Sequence, residues 1–260
     1  MTPVLQDIVS PLVQPIASAV KAHMHVERLT NGEIAGVFIL FFVLWSAAGV
    51  WANIHYARRK SDEYGSRVVS VVHAVLSSVL CFLAMVEEFG EPGYGVYGLH
   101  CTGLQQVVLL CSAGYFTMDL VGILRGSYFT WLFVAHHILS LYCLLTGGAF
   151  AIHGFELVCS MVVVESSNPF LHTRWLMIAD REHLKQDGKG SQQFQFVENA
   201  FYATFFLSRI MIGPIITSKL VTAVDMTAFF KGAGVALLVA SYLFFVSVVT
   251  KRYKKELWIN

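Results

Sequence analysis

The sequence predicts an all-α integral membrane protein with seven transmembrane helices, and three observations carry that fold class. Of its 260 residues, 56% are hydrophobic and 13% charged, against about 25% charged in an ordinary soluble domain. Mean hydropathy is +0.61. Long apolar runs recur along the chain, and the loops between them alternate between basic and non-basic. A formal net charge of +1, with the basic residues scattered through loops, gives no case for nucleic-acid binding.

Each element follows from length and composition, since a crossing needs ~20 mostly apolar residues. Residues 1–33 hold Pro3, Pro11 and Pro15 with scattered charges. They lack both a long apolar core and an Arg-rich transit pattern, and read as a partly helical lead-in at the membrane surface. Residues 34–60 contain the first span, 34–52, and a basic loop. Further spans are expected at 68–86, 104–124, 129–147, 150–167, 196–217 and 228–250. The fifth is the weakest: Glu156 lies inside it and Gly147, Gly148 and Gly154 loosen its start, as in a short or partly re-entrant helix. The longest soluble connection runs from about 170 to 195 through "DREHLKQDGKGSQQ", a composition suited to a solvated loop.

Loop charge tests this count. Arg58, Arg59, Lys60 and Arg67 separate spans one and two, whereas Glu87, Glu88 and Glu91 follow span two. Arg125 follows span three. Arg174, Arg181, Lys185 and Lys189 follow span five, Lys219 alone follows span six, and Lys251, Arg252, Lys254 and Lys255 close the chain. This alternation places the N-terminus outside and the C-terminus inside. The five cysteines form no CxxC pair and sit mostly in apolar runs. They read as buried free thiols rather than metal or redox ligands, and no metal or prosthetic cofactor is expected.

Helical rise puts several polar groups at one depth. His73 lies six residues past Arg67 and Asp119 six before Arg125, each ~9 Å from the inner surface. His136 lies eight past Tyr128, ~12 Å in. Glu165 and Asn168 close span five there, and Glu198 and Asn199 open span six. Spacing of three and four groups Ser66, Ser70, His73, Ser77 and Cys81 on one stripe. Ser112, Tyr115, Asp119 and Gly122 form another; so do His136, Ser140 and Cys143, with His137 turned ~100° aside. On span six the stripe is Glu198, Tyr202, Phe205 and Arg209. Unpaired charge in hydrocarbon costs several kcal/mol on most estimates, so these groups should face one polar cavity rather than lipid.

The pattern disfavours several seven-helix functions. Span three ends "DLVGILRGSY" without the acid–Arg pair of a G-protein-coupled receptor. No lysine lies deep in the last span for a retinal Schiff base, and no histidines have the spacing of a di-iron desaturase. Acid–base or nucleophilic chemistry remains. An imidazole with a carboxylate partner can take a proton from an attacking amine or hydroxyl, or form an acyl adduct itself. His136 is expected to pair with Asp119, and His137 to orient a carbonyl. A lipid suits such a site, its tail lying between helices.

At these residues the chain resembles a known family. "SRVVSVVHAVLSS", "GYFTMDLVGIL", "FVAHHILSLY" and "VVVESSNPFLHTRWLM" are similar to the successive signatures of a TLC domain, over residues 61 to 257. The resemblance implies a barrel of six helices, spans two to seven, around an acyl-chain cavity. It also implies that His136 and His137 match the histidine pair on which ceramide synthases depend. Where ceramide synthases carry a His-Asp-x-Ser-Asp signature, this chain reads "VESSN", with Glu165 for the first acid and neutral Asn168 for the second. The "ESSNPFL" run before Arg174 and Trp175 resembles the TLC-domain-containing branch instead.

The expected function is therefore binding or modification of acyl lipids, as an acyltransferase using His136, His137 and Asp119 with long-chain acyl-CoA as co-substrate and a sphingoid base or lysolipid as acceptor. The alternative is a non-catalytic lipid-binding or structural subunit with protein partners in a membrane assembly. A transporter ranks last, because the polar residues cluster on one side only. Cavity contacts are expected from His73, Tyr115, Ser140, Glu165, Asn168, Arg174, Glu198, Tyr202 and Arg209, with Arg174 also anchoring the inner interface. The resemblance implies the endoplasmic reticulum, and a mitochondrial membrane stays open.

Overall fold

A computed structural model describes residues 3–56, 62–90, 97–98, 101–126, 129–180 and 189–257. The described residues are helical: α1 (Pro3–Met24), α2 (Asn31–Tyr56), α3 (Asp62–Val86), α4 (Gly103–Arg125), α5 (Trp131–Phe150), α6 (Gly154–Glu165), α7 (Asn168–Ala179), α8 (Lys189–Phe205), a π-helical segment (Phe206–Ile212), α9 (Gly213–Thr222) and α10 (Ala228–Leu257). Six stretches are long and apolar enough to cross a membrane: Asn31–Tyr56, Glu63–Val86, Gly103–Arg125, Phe133–Phe150, Gln192–Thr222 and Ala228–Thr250. The chain is an all-α multi-pass membrane protein.

The fifth expected span differs from the sequence reading. Instead of one helix over 150–167, α5 runs on to Phe150, and Ala151 and His153 turn the chain with positive φ (51° and 58°). Twelve residues of α6 follow, ~18 Å of helix, too short to cross alone. A break at Ser166–Ser167 precedes α7, which starts with Asn168 and carries Pro169 in its first turn. Proline fits there because its missing N–H would be unsatisfied anyway. The connection expected from 170 to 195 is shorter than predicted, since α7 reaches Ala179 and α8 starts at Lys189. Most of "DREHLKQDGKGSQQ" lies in residues 181–188, outside the described residues.

Helix α4 is the axis of the bundle, packed by α2 and α5 and touched by α3 and α6. Its entry is fixed by a capping box, in which Thr102 and Gln105 satisfy one another's backbone N–H groups. Gly114 lets α2 approach α4: a Cβ there would lie 2.8 Å from the Phe42 backbone nitrogen. Helix α3 carries α6 and α7 along its other side, α8 packs on α7, and α10 packs on α9 and the π segment. The lead-in is a single helix, α1, resting on α3, with Ala17 and Val20 buried.

The two ends of the bundle differ. At the end where α4 begins, polar side chains tie segments together. Thr102 Oγ1 donates to Glu87 Oε2 (2.6 Å), and His25 Nδ1 lies 3.3 Å from Glu87 Oε1. Gln106 accepts from the Leu29 N–H and donates to the Gly148 carbonyl (both 2.9 Å). Arg28 reaches the Ala151 carbonyl (3.1 Å), and Glu156 accepts the Gly98 N–H. Burial pushes the Cys101 thiol and Tyr97 phenol up, so both stay protonated at neutral pH. All five cysteines are free and buried, as the sequence predicts. The opposite end, where Arg67, Arg125 and Arg174 lie, holds a cavity; it is called the basic end below.

Candidate functional site

The cavity, about 910 Å³, is at the upper end of the usual range for ligand pockets, ~300–1,000 Å³. Its wall brings together ten of the twelve residues expected from the sequence: His73, Tyr115, Asp119, His136, His137, Glu165, Asn168, Arg174, Glu198 and Arg209. Ser140 and Tyr202 lie outside the wall. Ser140 is buried one turn further along α5, and on α8 it is Phe201 that lines the cavity, with the Tyr202 ring packed against it at 5.3 Å.

Asp119 is the centre of the first polar chain. Helix α4 carries it to the level of the second turns of α3 and α5. Its Oδ1 accepts from Ser66 Oγ (2.8 Å), and its Oδ2 lies 2.9 Å from His137 Nε2. The expected partner was His136; the observed one is His137. The two rings are one residue apart and so ~100° apart around the helix, and the packing of α5 on α4 selects the second. His137 Nδ1 lies 2.8 Å from the Phe133 carbonyl, which can only accept. Both ring nitrogens therefore face acceptors, and the His137–Asp119 pair holds a proton between a second nitrogen and a carboxylate oxygen. His136 is different. Among the described residues it meets Phe116 and His137 edge-on, with centroids at 6.2 and 5.5 Å, and makes no hydrogen bond.

A second polar chain runs from the π segment through the α6–α7 break. Arg209 donates to Asn168 Oδ1 (2.8 Å), Ser167 Oγ (3.3 Å) and the Val164 carbonyl. Asn168 Nδ2 donates to Glu165 Oε2 (3.0 Å), which lies 3.9 Å from His73 Nδ1. The neutral residue in "VESSN" thus bridges an arginine to a carboxylate, using an amide's ability to donate and accept at once. His73 stacks on Tyr115 (3.7 Å, 7°), whose hydroxyl donates to Ser70 Oγ (2.8 Å). His73 Nε2 is buried and has no hydrogen-bond partner among the described residues. Such an atom in a cavity wall is a place for a ligand's polar group, because leaving it unmet is costly.

At the mouth, Arg174 donates from Nε and Nη2 to Glu198 Oε1 (3.0 and 2.8 Å). This ion pair takes up the guanidinium expected at the lipid interface. Sequence reasoning missed His172, Arg67 and Trp45. His172 lies in α7, seven residues past Glu165 and across the Ser166–Ser167 break, in a stretch read as a soluble loop. Its Nδ1 is 3.1 Å from Arg67 Nη1, and both line the cavity. Trp45 comes from the first span. It donates to the Cys111 carbonyl (3.2 Å) and sets its ring 5.5 Å from those of His73 and Tyr115. No group of three or more His, Cys, Asp or Glu side chains suited to a metal ion occurs among the described residues.

Comparison with known proteins identifies the family. Residues 63–251 match the family model of the TLC domain. The chain is 22% identical over 220 residues to the TLC domain-containing protein At5g14285 of Arabidopsis thaliana, covering 85% of this chain and 83% of the relative. It is 26% identical over 224 residues to TLC domain-containing protein 4-B of Danio rerio, covering 80% and 78%. No solved structure matches the chain. With the signature stretches and the histidine-lined cavity inside the matched region, the chain belongs to the TLC domain family of membrane proteins.

Proposed function

We propose that the protein binds an acyl lipid in the basic-end cavity and acts there as an acyltransferase. One observation carries the reading: four imidazoles and three carboxylates converge on a cavity that also has an apolar wall, from Phe116 and Ile123 through Phe201 and Phe205 to Leu237 and Phe244. His136, with no hydrogen bond among the described residues, takes the proton from an amine or hydroxyl as it attacks the thioester carbonyl, or accepts the acyl group at its ring nitrogen; in either case the C–S bond breaks and the thiol of CoA leaves. His137, held by Asp119 and the Phe133 carbonyl, stabilises charge developing beside it. A long-chain acyl-CoA is the proposed donor and a sphingoid base or lysolipid the acceptor. The lining arginines (67, 174, 209) and carboxylates (119, 165, 198) balance three to three, which suits an acceptor head that is neutral or a single amine. The membrane is proposed to be that of the endoplasmic reticulum, with the basic end on the cytosolic side.

The test is acyl transfer by the purified chain from long-chain acyl-CoA to sphingoid-base and lysolipid acceptors. Turnover should vanish in both His136→Ala and His137→Ala; turnover unchanged by either rules out the catalytic role. A second reading has its own support in the Arg209–Asn168–Glu165 chain, which occupies an acid-bearing motif with internal hydrogen bonds. On that reading the protein holds a lipid without reacting, as a subunit of a membrane assembly. It predicts no turnover, but an intact lipid on native mass spectrometry of the purified chain.

A further inference from the structure

A lipid bound at the histidines must enter a cavity that the helices surround. Two parts of the wall reach the outside, and they differ in chemistry. One is polar: Gln195 and Asn199 of α8 are exposed beside the Arg174–Glu198 pair. The other is apolar. Phe133 of α5 and Phe244 of α10 line the cavity and yet are 37% and 39% exposed, and Ala240, one turn from Phe244, is also exposed.

The packing explains the apolar opening. Helix α10 rests on α9 and the π segment and shares no packed interface with α5 among the described residues. The two helices meet at the rings of Tyr142 and Phe229, 4.4 Å apart. From that point α5 runs back six residues to His136, ~9 Å. Helix α10 runs on eleven residues to Ala240, ~17 Å. Leu237 and Ala240 line the cavity on this stretch, and Phe244 and Val248 beyond it. The helices thus touch at the far end and part toward the basic end, leaving a seam with apolar edges between two lipid-exposed helices.

Resting on the lipid-binding function proposed above, we propose that this α5–α10 seam is a lateral portal through which a single-chain membrane lipid passes from the bilayer to His136. Apolar edges let an acyl chain slide through without losing its hydrocarbon surroundings. The polar rim at Gln195 and Asn199 would strip it of them.

The full chain, reconstituted in phosphatidylcholine vesicles doped with a diazirine-bearing long-chain alcohol, tests the portal. The readout is the rate of photolabelling on the α6 peptide carrying Glu165, which is buried and does not face lipid. Ala240→Trp should slow labelling at least tenfold, whereas Leu243→Trp, on the exposed face of the same helix, should leave it unchanged. Phe244→Ala, which widens the seam, should speed it, and it tests the idea even if the tryptophan variant fails to fold. Equal rates in wild type, Ala240→Trp and Phe244→Ala overturn the portal while leaving lipid binding intact. So does slowing by Asn199→Trp in place of Ala240→Trp. No label on Glu165 in the wild type overturns the lipid-binding function together with the portal.

Discussion

At the scale of single residues, two adjacent histidines on one helix hold different environments, and the proposed function gives them different tasks. His137 has acceptors on both ring nitrogens, Asp119 Oδ2 at 2.9 Å and the Phe133 carbonyl at 2.8 Å, so its orientation is fixed. Among the described residues His136 makes ring contacts with Phe116 and His137 but no hydrogen bond, and the proposed function gives it the reacting role. Asp119→Asn keeps the shape but removes the charge that holds the His137 proton. In the acyl-transfer assay its kcat should fall about 100-fold, within the usual contribution of a positioned acid or base, with KM little changed. An unchanged kcat would show that the Asp119–His137 pair is structural. The depth of these groups was legible in the sequence, because rise per residue and loop charge fix it. Which histidine faces Asp119 was not, because the rotation of α5 about its own axis is set by packing on α4.

Among the elements, α2 and the α6–α7 pair depart most from what periodicity could show. Helix α2 is apolar on every side, so its sequence does not mark the stripe that meets α4, and the reach of Trp45 to His73 and Tyr115 was invisible. The break at Ser166–Ser167 was foreshadowed by Pro169, but the continuation into α7 was hidden by the polarity of the residues beyond it. The stripes of α3 and α4 were legible, since Ser66, Ser70 and His73, and Tyr115 with Asp119, all reach the cavity. The close approach of α2 to α4 gives a prediction at this scale. In Gly114→Ala the new Cβ would lie 2.8 Å from the Phe42 nitrogen and 3.0 Å from the Phe41 carbonyl carbon. Both are backbone atoms that cannot rotate away, and overpacking of this kind costs about 1–3 kcal/mol. Gly36→Ala, on α2 with no neighbouring atom within 4 Å of the new Cβ, should be neutral or slightly stabilising through helix propensity. Thermal unfolding in detergent distinguishes them, and a Gly114→Ala midpoint equal to that of Gly36→Ala would contradict the close contact.

For the whole molecule, the polar groups divide between two ends with different jobs. One end is clamped by Glu87, Thr102, Gln106 and Arg28, which satisfy one another and the backbone. The other holds the cavity and the arginines, and is the end proposed above to face the cytosol. The five buried cysteines leave a quiet background for testing this assignment with introduced thiols. Phe129, exposed in the turn before α5, marks the basic end. Val224, 91% exposed between α9 and α10, marks the other, since its neighbour Asp225 stands against Gly98 just before α4. In sealed microsomes of native orientation, a membrane-impermeant maleimide should label Phe129→Cys at once. Val224→Cys should react only after detergent opens the vesicles. The reverse pattern would place the basic end in the lumen, and a proposed acyl-CoA donor would then have to reach the cavity from the side where the cytosolic pool is absent.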